Sequence, residues 1–396
     1  MASQDILDGD KSSRGSFIND PKVRGIFFQV LVILLLVAGA WWIVHNVVDN
    51  LRRSNIASGF SFLRSRAGFD ISESPIAYTS DSTYGRAILV GFLNTLIVAA
   101  AGIVTASIIG FVVGIGRLSR NWLIRKICTV YVELFRNIPP LLVIFFWYFG
   151  VLSVLPGSRD SLHLPFGTFL NNRGFYFPRA IWGEGSWLIP VALVVGVALA
   201  WFVARRARQR QMATGQPFPV FWTSVALIIG LPVLAFALNG FPLSFDMPKQ
   251  STFNLSGGFQ VKPEFLSLYL ALSFYTAAFI AEIVRAGIIG VSKGQTEASE
   301  ALGLRPRQIL RLVVVPQAMR IIIPPLTSQY LNLTKNSSLA IAIGYPDLVA
   351  TGGTVLNQTG QAIEIVVIWM VIYLAISLAT SAFMNWFNAK MALVER

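Results

Sequence analysis

The 396-residue chain has one cysteine, Cys128, and two histidines, His45 and His163. A lone thiol makes no internal disulfide, so cysteine usage leaves the redox compartment undetermined, and no Cys/His cluster has metal-binding spacing. Charge is also scarce: 13% of residues are charged, where soluble domains carry about 25%. Acidic residues are the scarcer sign, 19 against 32 basic, for a net +13. No G-x-x-x-x-G-K-[ST] loop is present, so the chain has no phosphate cradle with which to hydrolyse ATP. H-E-x-x-H does not occur, which removes one signature of an intramembrane enzyme.

What is abundant is apolar sequence, 54% of residues, with a mean hydropathy of +0.62. The chain therefore reads as an all-α integral membrane protein. A bilayer core takes about 20 apolar residues as a helix. Eight runs qualify, at 26–48, 86–116, 127–155, 187–204, 220–240, 264–290, 321–344 and 363–388. Threading them with both termini in the cytoplasm puts nineteen basic residues inside, from Lys11 and Arg14 to Lys390 and Arg396, and ten outside, from Arg52 to Lys262. That asymmetry is the positive-inside bias. In a soluble protein the charge would suggest nucleic acid; here membrane lipid and topology account for it, and no nucleic-acid partner is expected.

Ala38-Gly39-Ala40 looks like a signal-peptidase site, but a long mixed-charge tail precedes the run and Trp41-Trp42 continue it to Val48. An uncleaved first helix is expected. The stretch from Ser158 to Ser186 reads as an ordered outer loop. Trp41, Trp42, Trp147, Trp187 and Trp386 read as interfacial anchors, and His45 and His163, near outer edges, as passive. Asn94 and Thr95 suit helix–helix hydrogen bonds better than ligands.

One stretch is not membrane-like: TEASEALGLRPRQILRLVVVPQAMR, Thr296 to Arg320. Thr296 can cap a helix whose first turn holds Glu297, favourable at the positive helix end, with Ala298, Ala301 and Leu302 keeping it helical and slim. Gly303 stops it, Pro306 opens a second helix, and Pro316 breaks the pattern again. A six-residue helix is about 9 Å long, too short to span a bilayer and marginal alone in water. It needs a partner surface, and small residues suit it to a groove.

Polar groups inside the membrane are the other anomaly. Glu133/Arg136 and Glu282/Arg285 are each three residues apart and share a helix face, in the cytoplasmic half of their spans. They can fix helix packing and an inner gate, or they can touch a solute. The seventh run is expected to break early at Pro324-Pro325, with Thr327, Ser328, Gln329, Asn332, Thr334, Lys335, Asn336, Ser337 and Ser338 loading its middle. Broken helices at midplane hold charged solutes through free N–H groups and polar side chains. Lys335 can hold a carboxylate, pair with Glu282, or pair with a second subunit.

Glu297-Ala298-Ser299, then Gly303, then Val313-x-Val315-Pro316 resembles the EAA loop of ABC importer permeases, with Ser299 at the third alanine. YVELFRNIPPLL (Tyr131–Leu142), AAFIAEIVRAGIIGVSKGQTEASEALG (Ala277–Gly303) and NLTKNSSLAIAIGYPDL (Asn332–Leu348) are similar to signature segments of polar amino-acid permeases. The extra first span and the insertion at 156–262 are similar to the general L-amino-acid branch, also described for glutamate, glutamine, aspartate and asparagine.

This resemblance implies a five-helix type I permease core plus one N-terminal and two inserted helices. The expected organisation is a cytoplasmic tail at 1–25, an extra helix at 26–48, a periplasmic loop at 49–85, and a permease domain at 86–396 with its coupling loop at 291–320. Glu297, Ala298, Ser299 and Gly303 are then the coupling residues. Lys335, Asn336, Ser337, Ser338, Glu282, Arg285 and Arg136 are the expected substrate pathway. The implied partners are ABC ATPase subunits that bind ATP and Mg, a sister permease in a heterodimer, a periplasmic solute-binding protein and an amino-acid substrate. The chain itself needs no cofactor and is not an enzyme, and the implied location is the bacterial inner membrane. The alternative is an ion-coupled secondary amino-acid transporter, which shares broken helices and midplane charges but needs no docking helix.

Overall fold

The structure is a computed structural model that describes residues 21–53, 59–251 and 254–391. Most of the N-terminal tail, including Lys11 and Arg14, and Arg396 at the other end lie outside the described residues, as does part of the 49–85 loop. Twelve α-helices are described, and the long ones follow the apolar runs: α1 (Pro21–Arg53), α2 (Tyr84–Gly116), α5 (Leu188–Thr214), α6 (Val220–Leu238), α7 (Pro263–Ile289), α10 (Val315–Asn336) and α12 (Ala362–Met391). Among the described residues seven segments are long and apolar enough to cross a membrane, or eight if one bent pair is a single span.

That pair replaces the expected continuous span at 127–155. Helix α3 (Trp122–Arg136) ends at Asn137, and α4 (Pro140–Phe145) with the following π-type turn to Leu152 leaves at 109° to it. The cause is local. Pro139 and Pro140 supply no N–H to the preceding carbonyls, and Pro139 sits at ψ 140°, outside the helical region.

The core is built on α2 and α7, with α10 against α7 and α11 (Leu348–Thr359) against α2. Helix α2 presents small residues at four-residue intervals, Gly102, Ala106, Gly110 and Gly114, all buried. A Cβ on Gly110 would lie 2.6 Å from Ile280, and one on Gly114 would lie 2.8 Å from Val284. Backbones approach this closely only over small side chains, as in small-xxx-small helix pairs. Ile280, Val284, Ile322, Ile323 and Leu333 fill the shared interior.

The seventh run corrects two sequence expectations. Pro324 and Pro325 lie inside α10 without breaking it, and Pro316 sits in its first turn. Pro306 to Ile343 is one helical segment of 38 residues. Burial of Ala318, Ile322, Ile323 and Leu326 against the core outweighs the hydrogen bonds that the prolines cannot make. The break comes later. A 3₁₀ stretch, Ser337–Ile343, ends at Gly344 with φ +78°.

The insertion carries a hairpin of α5 and α6, tightly joined where Gly196 faces the Leu227 carbonyl. Between the spans it adds short strands, where the sequence reading had only an ordered loop. These are β1 (Leu162–Leu164), β2 (Thr168–Asn171), β3 (Gly174–Phe177), β4 (Arg179–Trp182), β5 (Leu243–Asp246), β6 (Lys249–Gln250), β7 (Leu255–Ser256) and β8 (Phe259–Val261). The antiparallel order β1-β2-β3-β8 brings Phe175 opposite Val261, so the sheet ends beside the outer start of α7. Trp41, Trp42, Trp187 and Trp386 are exposed, as anchors must be. Trp147 is not among them: it stacks on Phe274 inside the bundle, ring centroids 5.6 Å apart.

Candidate functional site

Three constellations correspond to the anomalies of the sequence. The first is the elbow between α7 and α10. Its first helix, α8 (Lys293–Ala301), starts earlier than expected: Ser292, not Thr296, is the N-cap residue. Gly303 ends the turn at φ +76°, where an L side chain is strained, while an added Cβ would meet nothing within 4 Å. Its N–H donates to Glu300 O at 2.9 Å, and Leu304 N–H donates to Ser299 O at 3.2 Å. Pro306 opens α9 (Pro306–Ile309), where the Arg305 N–H donates to Gln308 Oε1 at 3.0 Å. A π-type turn, Leu310–Val314, then runs straight into α10.

Glu297, Ala298 and Gly303 are exposed on the elbow, whereas Ser299 is buried and its hydroxyl donates to Gln295 O at 2.6 Å. Apolar side chains are exposed beside them, Leu302 at 81%, with Leu310, Leu312 and Val315. Gln317 Nε2 donates to Gln295 Oε1 at 3.2 Å and ties the elbow to the first turn of α10.

The second constellation surrounds Glu282. Arg285 donates through Nη2 at 2.5 Å and through Nε at 3.3 Å, the (i, i+3) pair read from sequence. Arg117, at the end of α2, donates to the same carboxylate. Arg136 approaches it to 3.9 Å and lies over the Phe279 ring, 5.7 Å from its centroid. Arg136 thus turns across the bundle to Glu282 rather than to Glu133 on its own helix. One carboxylate holds three guanidinium groups, about 10 Å above the inner end of α7. Arg117 is the residue that sequence reasoning missed; it stands 165 positions from Glu282, and no local spacing links them.

The third constellation is the break after α10. Lys335 is exposed, and no ion pair to it is found among the described residues; Glu282 is occupied by arginines instead. Ser337 is fully buried and donates to Thr334 O at 2.7 Å, and Ser338 donates to Lys335 O at 2.7 Å. Asn336 lies between them, half-buried. Asn94 Nδ2 donates to Pro346 O and to Glu73 O, each at 2.9 Å, and Thr95 Oγ1 accepts the Leu348 N–H at 3.1 Å. Thr95 therefore makes the helix–helix contact expected of it, whereas Asn94 bonds two loop carbonyls. Asn94 thereby clamps the outer loop to the break.

Among the described residues no group of His, Cys, Asp and Glu is arranged to hold a metal ion. The family model described as "Binding-protein-dependent transport system inner membrane component" matches residues 189–393. The chain is 66% identical to the general L-amino acid transport system permease protein AapQ of Rhizobium johnstonii, over 98% of each chain. It is 51% identical to the putative amino-acid ABC transporter permease protein YhdX of Escherichia coli, over 96% of this chain and 97% of that one. The glutamate/glutamine/aspartate/asparagine transport system permease protein BztB of Rhodobacter capsulatus is 43% identical, over 96% of each chain. The elbow and the polar interior thus sit in a multi-pass permease, and the chain belongs to the family of inner-membrane components of binding-protein-dependent transport systems.

Proposed function

We propose that this chain forms the translocation pathway for polar L-amino acids in an ATP-driven importer, and that a separate ATPase works it through the elbow at 296–316. The carrying observation is mechanical. A short helix with exposed Glu297 and Ala298 and a bare apolar rim is joined, through one uninterrupted helical segment, to the break beside Lys335. Relatives that match nearly the whole chain and are named as amino-acid permeases support the substrate class. No observation favours the ion-coupled alternative.

In this reading Glu297 and Ala298 meet the ATPase, while Ser299 and Gly303 shape the surface they sit on. ATP and Mg belong to that partner. Closure of an ATPase pair moves the elbow, and α10 carries the displacement to the Ser337–Gly344 break. Lys335 and Asn336 face the passing solute, Ser337 and Ser338 hold the break in shape, and Glu282, Arg285 and Arg136 form an inner gate with Arg117. The uncovered polar side of α10 is closed by a sister permease, solute arrives on a periplasmic binding protein, and both termini are cytoplasmic.

Affinity capture tests this reading. The tagged permease should retain its ATPase from membranes, and Glu297→Arg or Gly303→Pro should release it without preventing insertion. Full retention in both variants would overturn the coupling role.

A further inference from the structure

A cavity of about 550 Å³ opens on the outer side of the bundle and shares Asn94 with the third constellation. Its walls include Glu73 of the outer loop, Asn94 of α2, Lys262 and Phe265 at the start of α7, and Tyr345 after the break. The volume falls within the usual range of small-molecule sites, roughly 300–1,000 Å³.

The polar groups here are not explained by the fold. The loop is held by the Glu73 backbone, whose carbonyl accepts from Asn94. The carboxyl has no such task, and its Oε1 is fully buried with no hydrogen-bond partner. Lys262 reaches the Ser72 carbonyl at 2.5 Å, which leaves two of its three N–H donors uncommitted there. Glu73 and Lys262 line one cavity, yet no ion pair joins them among the described residues. Lys262 is also the N-cap residue of α7, where no side chain caps the helix; the carboxylate of Glu264 stands in the first turn, and its neighbour Tyr148 donates to it at 3.2 Å.

A carboxylate and an ammonium that line one cavity without forming an ion pair fit a ligand that carries both charges itself. We propose that this cavity is an outer binding site for a zwitterionic α-amino acid, whose ammonium is held by the Glu73 carboxylate and whose carboxylate is held by Lys262 Nζ and the amino end of α7. The assignment rests on the amino-acid reading above and adds a location for it. Burial pushes the Glu73 carboxyl up to about 7, with Lys262 opposing the rise and Glu264 adding to it, so a proton competes with the ammonium and affinity falls as the outer pH drops below neutrality.

The test uses the assembled importer in proteoliposomes with ATP, binding protein and labelled L-glutamine, L-glutamate or L-arginine. Glu73→Gln and Lys262→Gln should each raise KM for uptake about tenfold or more with assembly intact, while Glu73→Asp, which keeps the charge, should stay within about threefold of wild type. Deamino glutamine, glutaramic acid, should compete poorly with L-glutamine in wild type and lose that disadvantage in Glu73→Gln. Wild-type uptake with unchanged KM in both glutamine variants overturns this site alone. A wild-type importer that accumulates none of the three amino acids overturns the amino-acid reading itself.

Discussion

The Nε2 of Gln317, in the first turn of α10, donates to Oε1 of Gln295 on the elbow helix at 3.2 Å. This bond closes the elbow on itself across the bend at Gly303. The same bond links α8 directly to the first turn of α10. The residues from Pro306 to Asn336, ahead of the break, amount to a strut of about 46 Å if taken as α-helix throughout.

Gly303→Ala probes the bend at its tightest point. The left-handed φ of +76° costs an L residue roughly 1–2 kcal/mol, and nothing crowds the added methyl. Partial uptake with normal expression is expected. Gly303→Pro, which cannot adopt this φ at all, should abolish uptake while leaving the protein inserted. Radiolabelled uptake in inverted and right-side-out vesicles, with immunoblotting for insertion, distinguishes these outcomes.

Glu282→Ala removes the shared counter-ion of Arg117, Arg136 and Arg285. Because the cluster is partly exposed, the loss is expected at the lower end of the range for broken buried pairs, on the order of 3 kcal/mol. A lowered thermal midpoint of the detergent-solubilised protein is the expected result. Arg117→Ala, which takes away the least exposed of the three cations at 13%, should cost less, because two partners remain.

Gly110→Ala places a methyl 2.6 Å from the Ile280 side chain and 3.0 Å from the Ala277 carbonyl. Overpacking at this contact should destabilise the bundle by about 1–3 kcal/mol. The same substitution at Gly230, where an added Cβ meets nothing within 4 Å, should leave the thermal midpoint unchanged apart from a small helix-propensity gain.

Glu73 gives a pH dependence with a definite sign. Its carboxyl is lifted by burial to about 7 from 4.5, so the folded state holds a proton that the unfolded state has already released in that window. Its stabilising contribution is full below about pH 4.5 and is lost as pH rises through 7, on the order of 3 kcal/mol in total. Glu73→Gln should flatten that slope. Hydrogen exchange of the outer loop around residues 66–83 at pH 5.5 and 8 measures it.

Helix existence was legible because hydrophobic burial and lipid both demand long apolar runs, and each long helix lies where such a run stands. The four-residue repeat of Gly102, Ala106, Gly110 and Gly114 was equally open to inspection as a helix-packing signal, and it marks the α2–α7 contact. What could not be read locally was decided by tertiary contact. Two prolines stay helical at 324–325 because their neighbours are buried, and the helix breaks instead at a stretch ending in Gly344, which has a positive φ. Arg117 reaches Glu282 through the fold alone, and the outer cavity joins a loop, two helices and a strand that no sequence window contains.

The most direct test of the coupling role is uphill transport by defined components. Purified permease pair, ATPase and binding protein in proteoliposomes should accumulate labelled L-amino acid only when ATP is supplied, and accumulation should vanish with Glu297→Arg. Accumulation by this chain in an ion gradient, without ATPase or nucleotide, would contradict it.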